Sequence, residues 1–149
     1  MGSQNWLFFG LPCLAGLLMA VQGSINGQVS KYIGALEGNF LMHMIGLAVI
    51  FLLLFVVRIG DGDWGRLREI PWYGYSSGLI NVVIIYGVMV SIAKLGAAPA
   101  TTAIIAGQVT TAALLDWLGL FGLEKTPFSL WQAVGIVLLA VGARLMLAK

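Results

Sequence analysis

Five stretches of roughly twenty residues, each almost wholly apolar, follow one another along this chain with short polar segments between them. A backbone in hydrocarbon must satisfy its hydrogen bonds within its own segment, and about twenty helical residues cross the ~30 Å core of a bilayer. The chain is therefore read as an all-α membrane protein, with five transmembrane helices in a single transmembrane domain, residues 1–149. The spans fall at about residues 6–26, 39–57, 71–93, 99–118 and 129–147. They use about 100 of the 149 positions, which leaves no room for a soluble domain.

Composition agrees: 60% of residues are hydrophobic and 9% charged, and the mean hydropathy is +0.97. A net charge of +2, scattered along the chain, gives no footprint for nucleic acid. The single Cys13 excludes an intrachain disulfide and is read as packing. Nothing before Trp6 supplies the basic flank of a signal peptide, so the first span is expected to be retained.

Local signals mark the ends of the spans. Pro12 sits near the start of span one as a candidate kink, and Lys31 with Tyr32 marks its exit. Span two stops at Arg58 and the turn-rich Gly60-Asp61-Gly62-Asp63. Pro71 suits the first position of span three, which Lys94 and Gly96 follow, and span four starts at Pro99. Span five begins either after Thr126-Pro127 or at the capping box Ser129 to Gln132, and ends by Leu147.

An odd number of spans places the N- and C-termini on opposite sides. With the N-terminus on side A, that side carries Arg58, Arg66, Arg68 and Lys125, and side B carries Lys31, Lys94, Arg144 and Lys149. The count is four against four. A Lys/Arg excess is what holds loops on the cytoplasmic side, so a chain with no excess is expected to insert both ways, as an antiparallel, dual-topology homodimer. Trp6, Trp64, Trp72, Trp117 and Trp131 all fall on side A, with Tyr32 the evident anchor on side B. An inverted partner would restore an aromatic belt at each interface; chance in a small sample is the competing account.

Polar groups inside spans cost free energy unless partnered, which makes them the guide to function. Gln22 and Asn26 share a face of span one, Asn39 and His43 of span two, and Ser77 and Asn81 of span three. Thr101, Gln108 and Thr111 line one stripe of span four, with Asp116 near its side A end. Span five has no such group between Gln132 and Arg144. Spans one to four are thus expected to turn polar faces to a shared cavity, with span five against lipid or a partner. Gln22, Asn26, His43, Asn81, Thr101, Gln108 and Thr111 are the candidate substrate-binding residues. The competing reading is that each pair merely ties helices together, at about 0.6 kcal/mol per bond.

No Asp or Glu lies near the middle of any span, so no central carboxylate exchanges a proton for a cationic solute. The coupling candidates are peripheral: His43, Glu37 and Asp116. Histidine alone among these residue types titrates near neutral pH. An interfacial histidine met by water, and an ordinary helix-end aspartate, are the plainer readings of His43 and Asp116. The spacings Gly23-x-x-x-Gly27, Gly74-x-x-x-Gly78 and Ala103-x-x-x-Gly107 permit close helix approach, and Gly135 with Gly142 offers a smooth stripe for a dimer seam. Gly27-Gln-Val-Ser30 and Gly107-Gln-Val-Thr110 echo each other too briefly to establish a duplication.

The run Ala98-Pro-Ala-Thr-Thr-Ala-Ile-Ile-Ala-Gly-Gln-Val-Thr-Thr-Ala-Ala-Leu-Leu-Asp-Trp-Leu-Gly-Leu-Phe-Gly122, with Gln108 and Asp116, closely resembles the YdcZ-like family of the drug/metabolite transporter superfamily. Met19-Ala-Val-Gln-Gly-Ser-Ile-Asn-Gly27 and residues 135–146 are similar to it as well, so the resemblance covers essentially the whole chain. It implies a multi-pass, five-span exporter of the bacterial inner membrane. It also implies a family with single, paired and tandem-fused members, the single ones forming antiparallel homodimers. It supplies no substrate.

The leading expectation is a small-molecule transporter in which two antiparallel copies enclose one cavity and alternate access. A passive dual-topology channel and an accessory subunit without transport activity are the alternatives. The chain is not expected to be an enzyme, because one His, one Cys and one interfacial Asp assemble no nucleophile, base and orienter. No catalytic residue, cofactor or metal is expected; the partners are the bilayer, a second copy and an unidentified solute. Adding one or two Lys to the loop after Arg58 should drive nearly all copies into one orientation, read from reporters fused at Lys149. A single orientation in the unaltered protein would contradict the balance argument.

Overall fold

The computed structural model describes the backbone of residues 4–147 and the side chains of residues 10–146, and among them every regular element is helical. The Trp6 side chain and Lys149 lie outside the described residues. Five α-helices follow in order: α1 Gln4–Ile33, α2 Ala35–Phe51, α3 Ser76–Leu95, α4 Ala97–Leu118 and α5 Leu130–Leu147. A π-helical continuation, Leu52–Val57, lengthens α2, and a 3-10 turn, Trp72–Tyr75, leads into α3. Among the described residues, three stretches are long and apolar enough to cross a bilayer: Ala35–Val57, Trp72–Leu95 and Ala97–Leu118. Leu130–Met146 is a shorter apolar helix.

Helix α1, and α2 counted together with its π-helical continuation, are longer than the corresponding apolar spans because only Gly34 separates them. Its φ of 96° and ψ of 156° lie in a region that essentially only glycine enters. A single residue thus reverses the chain where a polar loop of about a dozen residues was expected. Gly96, at φ 89° and ψ 164°, makes the same one-residue joint between α3 and α4. Lys31 and Lys94 lie in the last turns of α1 and α3, where a cation complements the helix dipole. Pro12 is carried inside α1.

The longer connections are held by caps. Arg58 closes the π-helical segment in a left-handed conformation, with its N–H donating to the Leu53 carbonyl. Asp63 caps the 3-10 turn Trp64–Glu69 by accepting from the Gly65 N–H at 2.8 Å. Pro71 lies just before the 3-10 turn of α3 rather than inside it. After α4, Gly119 supplies the left-handed C-cap, and the Thr126 N–H returns to the Asp116 carbonyl at 2.9 Å. The box at α5 forms reciprocally: the Ser129 N–H donates to Gln132 Oε1 at 2.8 Å, and the Trp131 N–H to Ser129 Oγ at 3.2 Å.

The chain divides into two compact units, residues 1–93 and 94–149. In the first, small residues determine how closely the helices meet. A Cβ placed on Gly23 would lie 2.8 Å from Ile92 Cδ1, and one on Gly27 would lie 2.6 Å from Ile92 Cγ2 and 3.1 Å from its Cβ. On α2, a Cβ at Gly38 would come within 2.5 Å of Met89 Cε and 3.1 Å of Val29 Cγ1. Lipid is as apolar as Ile or Met, so it is this van der Waals contact, not exclusion of water, that holds such helices together. Among the described residues of this unit, Gly23, Asn26, Gly27, Gly38, Asn39, Met89 and Ile92 are buried. In the second unit α4 packs along α5, and Ala100 and Ala143 are buried.

Gly27→Val should therefore lower the thermal midpoint of the purified protein by several degrees, since overpacking costs about 1–3 kcal/mol. Gly16→Val, also on α1 but with nothing within 4 Å of its Cβ position, carries the same helix-propensity change without the clash. Equal midpoints for the two variants would show that the α1–α3 contact is not formed.

Candidate functional site

On α1, Gln22 and Asn26 lie one turn apart and line a groove between α1 and α2 whose walls include Leu18, Ile25 and Met42. Gln22 is exposed, and Asn26 is 1% exposed. The Asn26 Oδ1 atom is sealed from solvent and accepts no hydrogen bond. A buried amide oxygen without a donor costs on the order of 1–3 kcal/mol, so it marks a place where a group is needed.

The second polar cluster joins α2 to α3. Asn39 is 1% exposed; its Nδ2 donates to the Val82 carbonyl at 2.7 Å, and its Oδ1, like that of Asn26, has no partner. The ring of His43, half-buried one turn on, places Nδ1 2.9 Å from the Asn39 carbonyl. A carbonyl only accepts, so Nδ1 carries the hydrogen. Nε2 is then the acceptor of the neutral ring, and Asn81 Nδ2 donates to it from α3 at 3.1 Å. His43 is thereby held in one tautomer by backbone on one side and a carboxamide on the other.

These contacts rearrange the pairs read from helical spacing. Asn39 and His43 do share a face, but they are joined through the Asn39 carbonyl while the Asn39 side chain reaches across to α3. Ser77 and Asn81 part company: Ser77 Oγ donates to the Gly74 carbonyl at 2.8 Å, and Asn81 turns to His43. Glu37 is exposed at the start of α2, its carboxylate against Gly34.

In the second unit, Thr101 is half-buried and Gln108 and Thr111 are exposed on α4. The neighbouring hydroxyls of Thr102 and Thr110 are spent on their own helix, donating to the Ala98 and Ala106 carbonyls at 2.8 and 2.7 Å. Asp116 is half-buried and lines a groove between α4 and α5 with Val109, Ala112, Gln132 and Gly135. Helix α5, expected to face lipid or a partner, thus also contributes a carboxamide beside the one aspartate of α4. Asn39 and Gln132 are the residues that sequence reasoning left out of the site. The signal for Asn39 was its place next to Gly38, at which α3 comes close.

Among the described residues no group of three or more His, Cys, Asp or Glu is disposed to hold a metal ion. The arrangement offers carboxamide donors and acceptors, one imidazole and apolar walls. It is suited to holding and releasing a hydrogen-bonding solute.

Comparison with known proteins identifies the family of the chain. The family described as "Putative inner membrane exporter, YdcZ" matches residues 7–145, nearly the whole chain and including every candidate residue named above. It is a transporter family rather than an enzyme family. No curated protein and no solved structure matches the chain. The chain belongs to the YdcZ family of inner membrane exporters, of the drug/metabolite transporter type.

Proposed function

We propose that the protein exports a small molecule as an antiparallel homodimer, two oppositely inserted copies enclosing one cavity and exchanging two equivalent asymmetric shapes. The observation that carries this reading is the even split of the basic residues. Arg58, Arg66, Arg68 and Lys125 face one side in the five-span arrangement, and Lys31, Lys94, Arg144 and Lys149 face the other. With no charge excess to favour one insertion, both orientations are present in the same membrane and can meet.

The surface of the single chain supports pairing. Gly107 on α4 and Gly135 and Gly142 on α5 have nothing within 4 Å of their Cβ positions, which leaves room for the backbone of another helix to approach. The solute contacts proposed are Gln22, Asn26, His43 and Asn81 from the first unit and Thr101, Gln108 and Thr111 from the second. Coupling is assigned to His43, whose Nε2 already accepts a hydrogen bond and is the atom that a proton would occupy. Glu37 and Asp116 are the remaining titratable candidates.

Both assignments are tested in proteoliposomes carrying a pH gradient, with solutes added in turn and dissipation of the gradient followed by a fluorescent dye. Gln108→Ala should lower the solute-dependent rate at least about tenfold, the loss of one or two hydrogen bonds to solute, with the thermal midpoint unchanged. His43→Ala should abolish solute-dependent proton movement. Full flux in the first variant removes Gln108 from the cavity; retained proton movement in the second transfers coupling to Glu37 or Asp116.

A further inference from the structure

We propose that the groove between α1 and α2 holds the head of the exported solute, and that this solute is an uncharged amphiphile bearing a hydrogen-bond donor. The inference rests on the export reading above and names the solute class that it leaves open. Three observations converge on it.

The first is the unpartnered acceptor. Asn26 lines the groove, is 1% exposed, and has an Oδ1 atom with no hydrogen-bond partner. An occupant that relieves this oxygen has to donate. A lipid chain cannot do so, and neither can the apolar side chains of a packed helix. Oδ1 is shielded from solvent in this conformation, but the terminal torsion of an asparagine is soft and roughly two-fold, so the carboxamide can turn within its rotamer to meet a ligand.

The second is Gln22, one turn away on the same wall. It is exposed in the groove and makes no hydrogen bond to any described residue. A carboxamide both donates and accepts, so Gln22 and Asn26 together present a head group with two acceptor sites and a donor. A primary amide, or a hydroxyl beside a carbonyl, matches that pattern.

The third is the absence of charge in the lining. Around the two carboxamides the walls are Leu18, Ile25 and Met42 with Ala15, and none of the groove residues is ionisable. A charged head would be stripped of water here with no counter-ion beside it, which costs several kcal/mol per ion even after relaxation. The apolar walls fit a hydrocarbon body instead, and the unbranched thioether of Met42 adapts to its shape.

The test is equilibrium binding of radiolabelled octanamide to the purified protein in lipid nanodiscs, corrected for partition into empty discs. Octanamide should bind saturably. N,N-dimethyloctanamide, which has the same body and carbonyl but no donor, should bind about tenfold more weakly, and octanoate and octyltrimethylammonium should not compete. Gln22→Leu, at an exposed position, should weaken octanamide five- to tenfold, about one hydrogen bond. Asn26→Leu should remove the preference for octanamide over its dimethyl analogue, and Asn26→Ala, which deletes the same oxygen without adding bulk, is the variant to use if the leucine form does not fold. Equal binding of the two amides by the unaltered protein, competition by either ion, or unchanged affinity in Gln22→Leu would overturn the proposal. Binding is read here without flux or orientation, so these results leave the export reading standing. Intact donor-selective binding with no flux in proteoliposomes would overturn that reading and leave the groove.

Discussion

Hydrocarbon offers a polar group no partner, and that one property of the solvent links the helices of this protein, the use of its hydroxyls and the meaning of its carboxamides. The backbone answers by forming helix almost continuously. The hydroxyls answer by folding back on their own helices: Ser24 donates to the Ala20 carbonyl, Ser30 to Gly27, Ser77 to Gly74, Thr102 to Ala98 and Thr110 to Ala106, all at 2.7–2.8 Å. Groups spent in this way have little left for a ligand. The carboxamides differ because each has more donors and acceptors than one helix can satisfy. Asn26 and Asn39 keep an unpartnered oxygen, and Asn39 and Asn81 reach across to another helix. Beside His43, Thr101 and Thr111, the polar capacity of this chain therefore resides in Asn and Gln, and no buried carboxylate is required for a site.

Glycine sets the framework on which those amides are displayed. Gly34 and Gly96 take nearly the same backbone conformation, so α1 with α2 and α3 with α4 are each joined by one residue, whereas the connections after Val57 and after Leu118 are long and capped. Gly23, Gly27 and Gly38 then let Ile92 and Met89 of α3 come against α1 and α2. Asn26 and Asn39 are buried next to these glycines in sequence, and both keep an amide oxygen isolated from solvent.

Much of this was legible in the residues, and what was not has a common cause. The end of the second apolar stretch at Arg58 and the Ser129 to Gln132 box depend on residues within a turn of each other, and the structure shows both. The family was legible from the Gln108 to Asp116 run and is matched over residues 7–145. The spans read from the sequence, 6–26 and 39–57, put Asn26 and Asn39 on polar faces at their limits. In the structure α1 runs on past Asn26 to Ile33 and α2 begins before Asn39 at Ala35. Helical periodicity places residues on a face but not at a height against the next helix. For that reason His43 could be aligned with Asn39, yet its bond to Asn81, 38 positions away, was not readable. Asp116 beside Gln132 across the α4–α5 groove escaped for the same reason.

The central claim, that copies of both orientations share one membrane and mate, is tested most directly by accessibility of one loop position. With Cys13 replaced by alanine, Gly62→Cys places a single thiol in the loop after Arg58, at a position with open space around it. Cells are treated with a membrane-impermeant maleimide before and after permeabilisation, and the labelled fraction is measured by mass shift. The account predicts that about half of the protein is labelled from outside and the remainder only once the membrane is opened. Complete labelling from outside, or none before permeabilisation, would mean one orientation and would contradict it.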